Sequence, residues 1–351
     1  MRMEKHNMFA SHEPVLPSGA VVVVTGVSGF IGSHIADQLL AAGYSVRGTT
    51  RDAAKSAWLA ALFEGRYGAD KFELHEVPDM AKEGAFEGIV HGASGVVNAA
   101  SDTSFAPDPN AVITPTVAGA ANLIRAAARS PSVRRFVQTS SCAAATSPGP
   151  GPDYPTVTAE TWNDATVAQA WAPPPYEPSR GFAVYAACKT EAERALWTWY
   201  REEKPAFVLN AVLPSMNMGK SLDLEHQGHA STSGLVQALF MGNHEVLASA
   251  AQYFYIDVQD TARLHVAALL HPEVREERVF AYAGPYTWRT IQQVMQTLYP
   301  QRSFAPDVAA AALDGSVVPG MARAEALLRE MGRDGWTSLE DCVRMNTEDL
   351  V

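Results

Sequence analysis

The sequence is poor in cysteine and has no long apolar run, and both absences exclude classes of protein. Its 351 residues include three cysteines, Cys142, Cys188 and Cys342, which form neither a CxxC pair nor a disulfide framework. We therefore expect a reducing, cytoplasmic location. The apolar runs are far shorter than the roughly 20 residues that cross a membrane, and the first 14 residues contain no apolar signal segment. We expect neither a membrane span nor a secretory signal.

Positive charge is also scarce. The chain has 27 Lys and Arg against 38 Asp and Glu, which gives a formal net charge of −11. Because nucleic-acid binding needs a basic face, we expect no nucleic-acid partner. Apolar residues make up 47% of the chain, which is enough to build a folded core. The length allows one large domain or two smaller ones.

Apolar strands alternate with helical segments through the first 213 residues. Residues 20–25 (AVVVVT) are a β-branched apolar run of the kind found in buried strands. Further strands are predicted at 44–49, 72–77, 95–98, 135–139 and 207–213. Helical periodicity predicts helices at 30–42, 53–63, 110–129 and 183–203. This alternation predicts right-handed βαβ units and therefore an α/β fold with a doubly wound, parallel, Rossmann-type sheet.

The alternation weakens at two places, and these suggest the domain boundaries. Residues 147–180 are rich in proline, which excludes long helices and favours a loop beside the sheet edge. After Pro214 the pattern becomes mainly helical. We expect an N-terminal arm at 1–19, a Rossmann domain at 20–213 with about 248–270, and a smaller, mainly helical lobe at 214–247 and 271–351.

A glycine-rich segment joins the first predicted strand to the first predicted helix. In this setting one glycine permits the tight turn, the next lets the backbone approach a pyrophosphate, and the third lets helix and strand pack closely. The helix N-terminus would offer free N–H groups to the anion. The alternative is an ordinary strand–helix turn. The residues concerned are Gly26, Ser28, Gly29, Phe30, Ile31 and Gly32.

Tyr185 and Lys189 are four residues apart on a predicted helix, so their side chains share one face. Carbonyl reduction needs a proton for the oxygen, and a free tyrosine with a pKa of about 10 is a reluctant donor near neutral pH. We expect the neighbouring ammonium of Lys189 to lower that pKa. A surface pair on the helix is the alternative interpretation.

Taken together, these segments resemble the extended branch of the short-chain dehydrogenase/reductase superfamily. The resemblance rests on the glycine spacing Gly-x-x-Gly-x-x-Gly, on residues 135–141 (RFVQTSS) and on Tyr-x-x-x-Lys. Residues 44–51, 210–214 and 257–260 are similar to fungal aldehyde and ketone reductases and to plant dihydroflavonol reductases. The resemblance implies that Ser141 is catalytic and polarises the substrate carbonyl, with the adjacent Ser140 as the alternative.

The residues at the end of the second strand indicate which dinucleotide is bound. An acidic residue there favours NAD, whereas arginine accommodates a 2′-phosphate. This sequence has Arg51, with Arg47 and Lys55 nearby, so we predict NADPH, the alternative being a solvated surface cluster. The resemblance implies further cofactor contacts at Asp79, Met80, Ala99, Ala100, Ser101, Thr139, Pro214, Ser215, Ser231 and Ser233. For Ser231 and Ser233, a helix cap is an equally good explanation.

The resemblance implies NADPH-dependent reduction of a ketone or aldehyde, with Tyr185 supplying the proton. Apolar candidates such as Phe105, Met218 and Phe240 suggest a bulky, aromatic or polyketide-like carbonyl substrate, with packing in the core as an equally good explanation for each of them. Two alternatives are a sugar-nucleotide epimerase or dehydratase of the same superfamily and a non-catalytic NADP-binding regulatory protein. We expect no metal site, in spite of His226 and His229, and a homodimer is possible.

Overall fold

The computed structural model describes residues 9, 12–147, 154–247, 250 and 252–351. Within these residues the chain forms ten β-strands and twelve α-helices. The strands are β1 (Val21–Thr25), β2 (Ser45–Thr50), β3 (Phe72–Glu76), β4 (Gly95–Asn98), β5 (Arg135–Thr139), β6 (Val208–Pro214), β7 (Met216–Met218), β8 (Phe254–Asp257), β9 (Arg278–Ala281) and β10 (Gly284–Pro285). The helices are α1 (Phe30–Ala41), α2 (Ala57–Tyr67), α3 (Glu87–Val90), α4 (Pro109–Arg129), α5 (Asp164–Ala170), α6 (Gly181–Glu203), α7 (Leu224–Gln227), α8 (Ser233–Phe240), α9 (Val258–Leu270), α10 (Trp288–Leu298), α11 (Gly320–Glu330) and α12 (Leu339–Thr347).

In the described part of the chain, seven strands form one parallel sheet in the order β3-β2-β1-β4-β5-β6-β9. The central strands are apolar because helices cover both of their faces, as the burial of β4, β5 and β6 shows. The chain reverses its direction of travel across the sheet between β1 and β4, which opens a crevice at the carboxyl ends of these strands. The predicted Rossmann-type α/β fold is confirmed.

Helices cover the sheet in two layers. Helices α1, α9 and α11 pack together with the sheet on one face, while α4 and α6 pack against each other on the other. Within the described residues, α4 is the one helix that is long and apolar enough, by length and composition, to cross a membrane. Core helices of globular proteins meet the same criteria, and α4 has nine buried residues, among them Val112, Leu123 and Ile124.

The second lobe is built around a small mixed sheet in the order β10-β8-β7. Helices α8, α10 and α12 pack beside it around a separate apolar core that includes Met218 and Phe240. The boundaries therefore differ from the predicted ones. Strand β9 and helix α11, placed at 271–351 in the second lobe, belong to the main sheet layer, and β8 pairs with β7 of the second lobe.

The described part of the N-terminal arm is docked rather than flexible. Phe9 and Leu16 are fully buried in the main core. The N–H of Val15 donates to the carbonyl of Leu270, and the Tyr44 hydroxyl donates to the carbonyl of Leu16. The other predicted arm residues (1–8, 10 and 11), residues 148–153 of the proline-rich segment and residues 248, 249 and 251 lie outside the described residues.

Candidate active site

The glycine loop is a compact turn between β1 and α1. Gly26 adopts a left-handed conformation with a φ of 62°, and a Cβ there would lie 2.8 Å from the Cα of Ala100. A Cβ on Gly32 would collide with the carbonyl of Gly26. The loop therefore needs glycine at both positions, the first against the β4–α4 connection and the second for packing of α1 on its own strand.

The amino end of α1 is open to a ligand. Gly29 is its N-cap, and no side chain caps the helix, so the first N–H groups of Phe30 and Ile31 remain available to an anion. The hydroxyl of Ser101, which follows the Ala100 that packs against Gly26, is buried without a hydrogen-bond partner. Ser28, by contrast, already contacts Thr50, with 3.3 Å between the two hydroxyl oxygens. An uncapped helix end and an unsatisfied hydroxyl both fit a pyrophosphate-containing cofactor.

Ser141, Tyr185 and Lys189 meet at the carboxyl end of β5. The Tyr185 hydroxyl donates to Ser141 Oγ at 3.4 Å, and Lys189 Nζ donates to the Thr139 carbonyl at 3.3 Å. Ser140 points to the other face, where its hydroxyl donates to a Glu193 carboxylate oxygen at 2.6 Å. Side chains of adjacent residues in an extended segment point to opposite faces, and of the two serines Ser141 is the one that faces Tyr185.

The protonation balance at this site differs from the expectation. Burial raises the pKa of Tyr185 to about 12, and the hydrogen bond with Ser141 offsets only part of that rise. Burial also lowers the pKa of Lys189, while Cys188 and Glu193 favour its charged form. The expected lowering of the Tyr185 pKa by Lys189 is not seen, because the ammonium is turned toward Thr139 and burial dominates. Tyr185 therefore holds its proton firmly.

A buried ion pair packs next to the predicted catalytic residues, and it was not predicted from the sequence. Arg278 of β9 binds both carboxylate oxygens of Glu193, at 2.7 and 3.1 Å. The same carboxylate accepts the Ser140 hydroxyl and the Trp197 indole N–H. These contacts join β5, α6 and β9 around the catalytic residues. The spacing of Lys189 and Glu193, four residues apart on α6, was the available signal.

The turn after β2 contains the predicted phosphate-binding residues, with one exception. Arg51 is exposed and, among the described residues, makes no ion pair. Lys55 lies 3.4 Å from Asp52 on the same turn. Arg47 does not join them: its guanidinium donates to the carbonyls of Ile89 and His91. We therefore withdraw Arg47 as a phosphate contact, because its side chain is bound to the segment that precedes β4.

The remaining predicted contacts fall into two groups. Asp79 closes a turn by accepting the Ala81 N–H, Met80 packs against Gly119 of α4, and Ala100 donates its N–H to Thr25. These residues and Ala99 lie on the loops after β3 and β4, at the carboxyl edge of the sheet. Further predicted contacts at the strand ends are Thr139, which also bonds His265, and Pro214 and Ser215, which end and follow β6.

Ser231 and Ser233 are tied into the second lobe. Ser231 is exposed with a φ of 55°. Ser233 donates its hydroxyl to the Ala230 carbonyl, and its own carbonyl accepts from Asn346 of α12. The N-cap of α8 is Thr232 and no side chain caps this helix, so neither serine acts as the helix cap that the alternative interpretation predicts. Their predicted cofactor role remains untested.

His226 and His229, the two histidines considered for a metal, are each paired with a different carboxylate. His226 pairs with Asp223 and His229 with Asp349, so these two rings are held separately. In the described residues, His12, His271 and Glu330 are close enough to share an ion. However, His271 Nδ1 accepts the Glu273 N–H and Nε2 bonds Glu330. That tautomer leaves no lone pair on Nε2 for a metal.

The side chain of Gln227 joins the second lobe to the glycine loop, and this contact too was not predicted from the sequence. Gln227, at the end of α7, donates its amide N–H groups to the Ser28 carbonyl at 3.1 Å and to the Ser33 hydroxyl at 3.0 Å. Its amide oxygen accepts the N–H groups of Leu222 and Asp223. A glutamine in a short, irregular segment gave no sequence signal for this role.

The fold and the Ser–Tyr–Lys arrangement define a Rossmann-type member of the extended short-chain dehydrogenase/reductases. The chain belongs to the NAD dependent epimerase/dehydratase family, whose model matches residues 22–281.

Among its relatives, aldehyde reductase 2 of Sporidiobolus salmonicolor is 39% identical over 338 residues, covering 96% of each chain. Ketoreductase adrE of Penicillium rubens is 38% identical, covering 95% of this chain and 97% of its own. The fold is similar to that of Gre2 from Candida albicans in complex with NADPH, with a TM-score of 0.81, 23% identity, and coverage of 94% of this chain and 98% of that one.

Proposed function

We propose that the protein is an NADPH-dependent carbonyl reductase that converts a ketone or aldehyde to the alcohol. The observation that carries the proposal is the contact between Tyr185 and Ser141 beside Lys189, at the carboxyl edge of a Rossmann sheet. The printed names of the relatives, an aldehyde reductase and a ketoreductase, support the same chemistry. The three free, buried cysteines are consistent with a cytoplasmic location.

The residues present fit NADPH. The uncapped N-terminus of α1 would receive the pyrophosphate, and Arg51 with Lys55 would bind the 2′-phosphate. Lys189 would hold the ribose hydroxyls beside the nicotinamide, close to Thr139. The loops at Asp79–Met80 and Ala99–Ser101, with Pro214 and Ser215, would line the rest of the cofactor path. When bound, NADPH supplies the hydride that the carbonyl carbon accepts.

The protein's own residues supply the proton and orient the carbonyl. Ser141 Oγ accepts from the Ala143 N–H and donates to Cys142 Sγ at 3.9 Å, and rotation of this hydroxyl would turn its hydrogen from the thiol to the substrate oxygen. Tyr185 then donates its proton to that oxygen as negative charge develops. A pKa of about 12 does not prevent this step, because an alkoxide is a stronger base than a phenolate. The Ser140–Glu193–Arg278 contacts keep the serine strand end in place.

Two exposed aromatic rings next to Tyr185 support a bulky or aromatic substrate. The centroid of the Phe105 ring lies 5.0 Å from that of Tyr185, and the Phe182 ring lies 6.4 Å from it. Phe105 is 49% exposed and has a left-handed φ of 54°, a strained conformation for a bulky residue. Met218 and Phe240, also considered as lining residues, are buried in the core of the second lobe.

The proposal is tested by following NADPH oxidation with aryl ketones, aldehydes and a nucleotide sugar. We expect oxidation with the carbonyl compounds and none with the nucleotide sugar. Tyr185→Phe should lower kcat by about 10²–10⁴-fold, because the proton donor is lost. NADPH binding, measured by fluorescence, should persist in this variant.

The control is Tyr176→Phe, on the exposed segment before α6, where the ring contacts Arg180. Full activity in Tyr185→Phe would refute the assigned proton donor. NADPH binding without any oxidation would instead indicate a regulatory protein, and turnover of the nucleotide sugar would indicate an epimerase or dehydratase.

A further inference from the structure

Three buried hydroxyls beside the catalytic residues have no hydrogen-bond partner. They belong to Ser215, Tyr253 and Tyr282, which are 6%, 6% and 2% exposed. Burying a hydroxyl without a partner is costly, so native proteins satisfy nearly all of them. The other unsatisfied side-chain atoms of the described residues lie on separate parts of the chain, at Ser101, Arg135, His244 and Arg302.

Tyr253 and Tyr282 pack in the same buried cluster as Cys142, the residue that follows Ser141. The Ser141 hydroxyl donates to Cys142 Sγ at 3.9 Å. Burial raises the pKa of Tyr253 well above its ordinary value, and the neighbouring Cys142, Tyr282 and Tyr185 add to that rise. The cluster is therefore close to the proton donor.

The chain brings this cluster together from three separate segments. Ser215 follows β6, and its N–H donates to the carbonyl of Ala281, the residue before Tyr282. Tyr253 precedes β8, whose partner β10 follows Tyr282 closely. Phe254 and Tyr282 also contact each other through their rings, with centroids 5.5 Å apart. Both lobes thus contribute hydroxyls to one place.

The chemistry of the cluster limits what it can bind. Burial raises the pKa of Tyr282 as well as that of Tyr253, so both remain protonated and can donate hydrogen bonds. The Asp314 carboxylate raises both pKa values further, while the Arg278 guanidinium lowers that of Tyr282. Protonated hydroxyls of this kind can donate to a neutral oxygen acceptor.

We propose that Ser215, Tyr253 and Tyr282 form a second recognition site that binds a neutral oxygen group of the substrate while Ser141 and Tyr185 bind the reacting carbonyl. The inference rests on the proposed function and narrows it. The preferred substrates are ketones that carry a second neutral oxygen, such as a ketone, hydroxyl or amide oxygen, within reach of the first. Phe105 and Phe182 contact the apolar remainder.

The test compares 2-hexanone with a series of hexanediones, which place a second carbonyl at different distances along the same chain. For the wild type, we expect kcat/KM to be at least tenfold higher for one dione of the series than for 2-hexanone. In Tyr253→Phe and Tyr282→Phe, which remove one hydroxyl each, the ratio of the two kcat/KM values should fall about tenfold.

Thermal unfolding separates recognition from a structural role. Because their hydroxyls lack partners, Tyr253→Phe and Tyr282→Phe should not lower the unfolding midpoint. The matched control is Tyr44→Phe, which removes a buried hydroxyl that donates to the Leu16 carbonyl. That variant should lower the midpoint and leave the substrate ratio unchanged.

The outcomes also separate this inference from the proposed function. Equal kcat/KM for 2-hexanone and every dione, or a ratio that both tyrosine variants leave unchanged, would overturn the second recognition site and leave the reductase activity standing. A lowered unfolding midpoint in both variants, with the ratio unchanged, would show the hydroxyls to be structural. Absence of NADPH oxidation with every ketone and aldehyde would overturn the proposed function and this inference with it.

Discussion

At the scale of single residues, the turn after β2 holds charges of both signs. Arg51 and Lys55 are cationic, while Asp52 pairs with Lys55 and the Glu76 carboxylate accepts the Ala53 N–H. The carboxylates of Asp52 and Glu76 would therefore repel a dianionic 2′-phosphate bound at this turn. Because Lys55 is already paired with Asp52, Arg51 has to supply most of the attraction.

We predict that Arg51→Ala raises the KM for NADPH about 10–100-fold and changes the KM for NADH about twofold at most, because charge-assisted hydrogen bonds contribute about 1.5–3 kcal/mol each. Steady-state kinetics with both cofactors measure the difference. Arg47→Ala is the control, since its guanidinium is bound to backbone carbonyls elsewhere. An equal rise of both KM values in Arg51→Ala would mean that this residue does not contact the phosphate.

The sequence predicts the direction of some side chains better than it predicts their partners. Side-chain alternation along β2 indicates only which face Arg47 is on; its partners, Ile89 and His91, come from a segment about 40 residues away. For the Ser140–Ser141 pair, the opposite holds. Adjacent side chains in an extended segment point in opposite directions. The contact of Ser140 with Glu193 therefore also indicates the direction of the Ser141 side chain.

At the scale of elements, α7 connects the second lobe to the glycine loop through Gln227. The side chain bonds the Ser28 carbonyl, the Ser33 hydroxyl and two N–H groups of its own turn. We predict that Gln227→Ala raises the KM values for NADPH and NADH together, by about 30-fold, because the glycine loop would serve both cofactors and about two hydrogen bonds of ~1 kcal/mol are lost.

Gln296→Ala is the control for this prediction, since it removes an exposed amide that bonds Asp307. Binding of each cofactor, followed by fluorescence, complements the kinetics. A rise confined to NADPH would place the effect at the 2′-phosphate and contradict the role of Gln227 at the loop.

The sequence predicts best those strands and helices whose apolar residues follow a regular pattern within the segment itself. Strands β4 and β5 are predicted with their observed bounds, and the predicted start of helix α4 differs from the observed one by a single residue. Helix α2 begins four residues later than predicted, because Asp52 accepts the Lys55 N–H and keeps the chain in a turn. Strand β7 and the two-residue β10 carry too few residues for a periodic signal, and they pair with β8 through contacts distant in sequence.

At the scale of the whole molecule, the lobes are interwoven rather than sequential. The chain leaves the main sheet after β6 and returns to it at β9. Contacts such as those of Gln227, and of His34 with the Lys220 carbonyl, join the second lobe to α1. A net charge of −11 opposes an anionic cofactor, so we expect binding to depend on the local groups proposed for it, namely the helix N–H groups, Arg51 and Lys189. Anything that loosens the lobe contacts would therefore weaken the site.

Acid should loosen one of these contacts. Burial lowers the pKa of His34 to about 4, from 6.5. Between these values the unfolded chain binds a proton that the folded chain does not, so His34 makes the free energy of unfolding fall as the pH falls from 6.5 to 4. The loss amounts to about 3 kcal/mol, and above pH 6.5 the contribution is complete.

We predict that His34→Gln, which can still donate to the Lys220 carbonyl, is less sensitive to acid than the wild type over this range. Urea unfolding of both proteins between pH 7.5 and 4.5 gives the difference in the free energy of unfolding. Buried His265, with a pKa near 4, and Asp257, with a pKa near 7, contribute in opposite directions but cancel in this comparison. Parallel pH profiles for the two proteins would show that His34 is not the acid-sensitive group at the lobe contact.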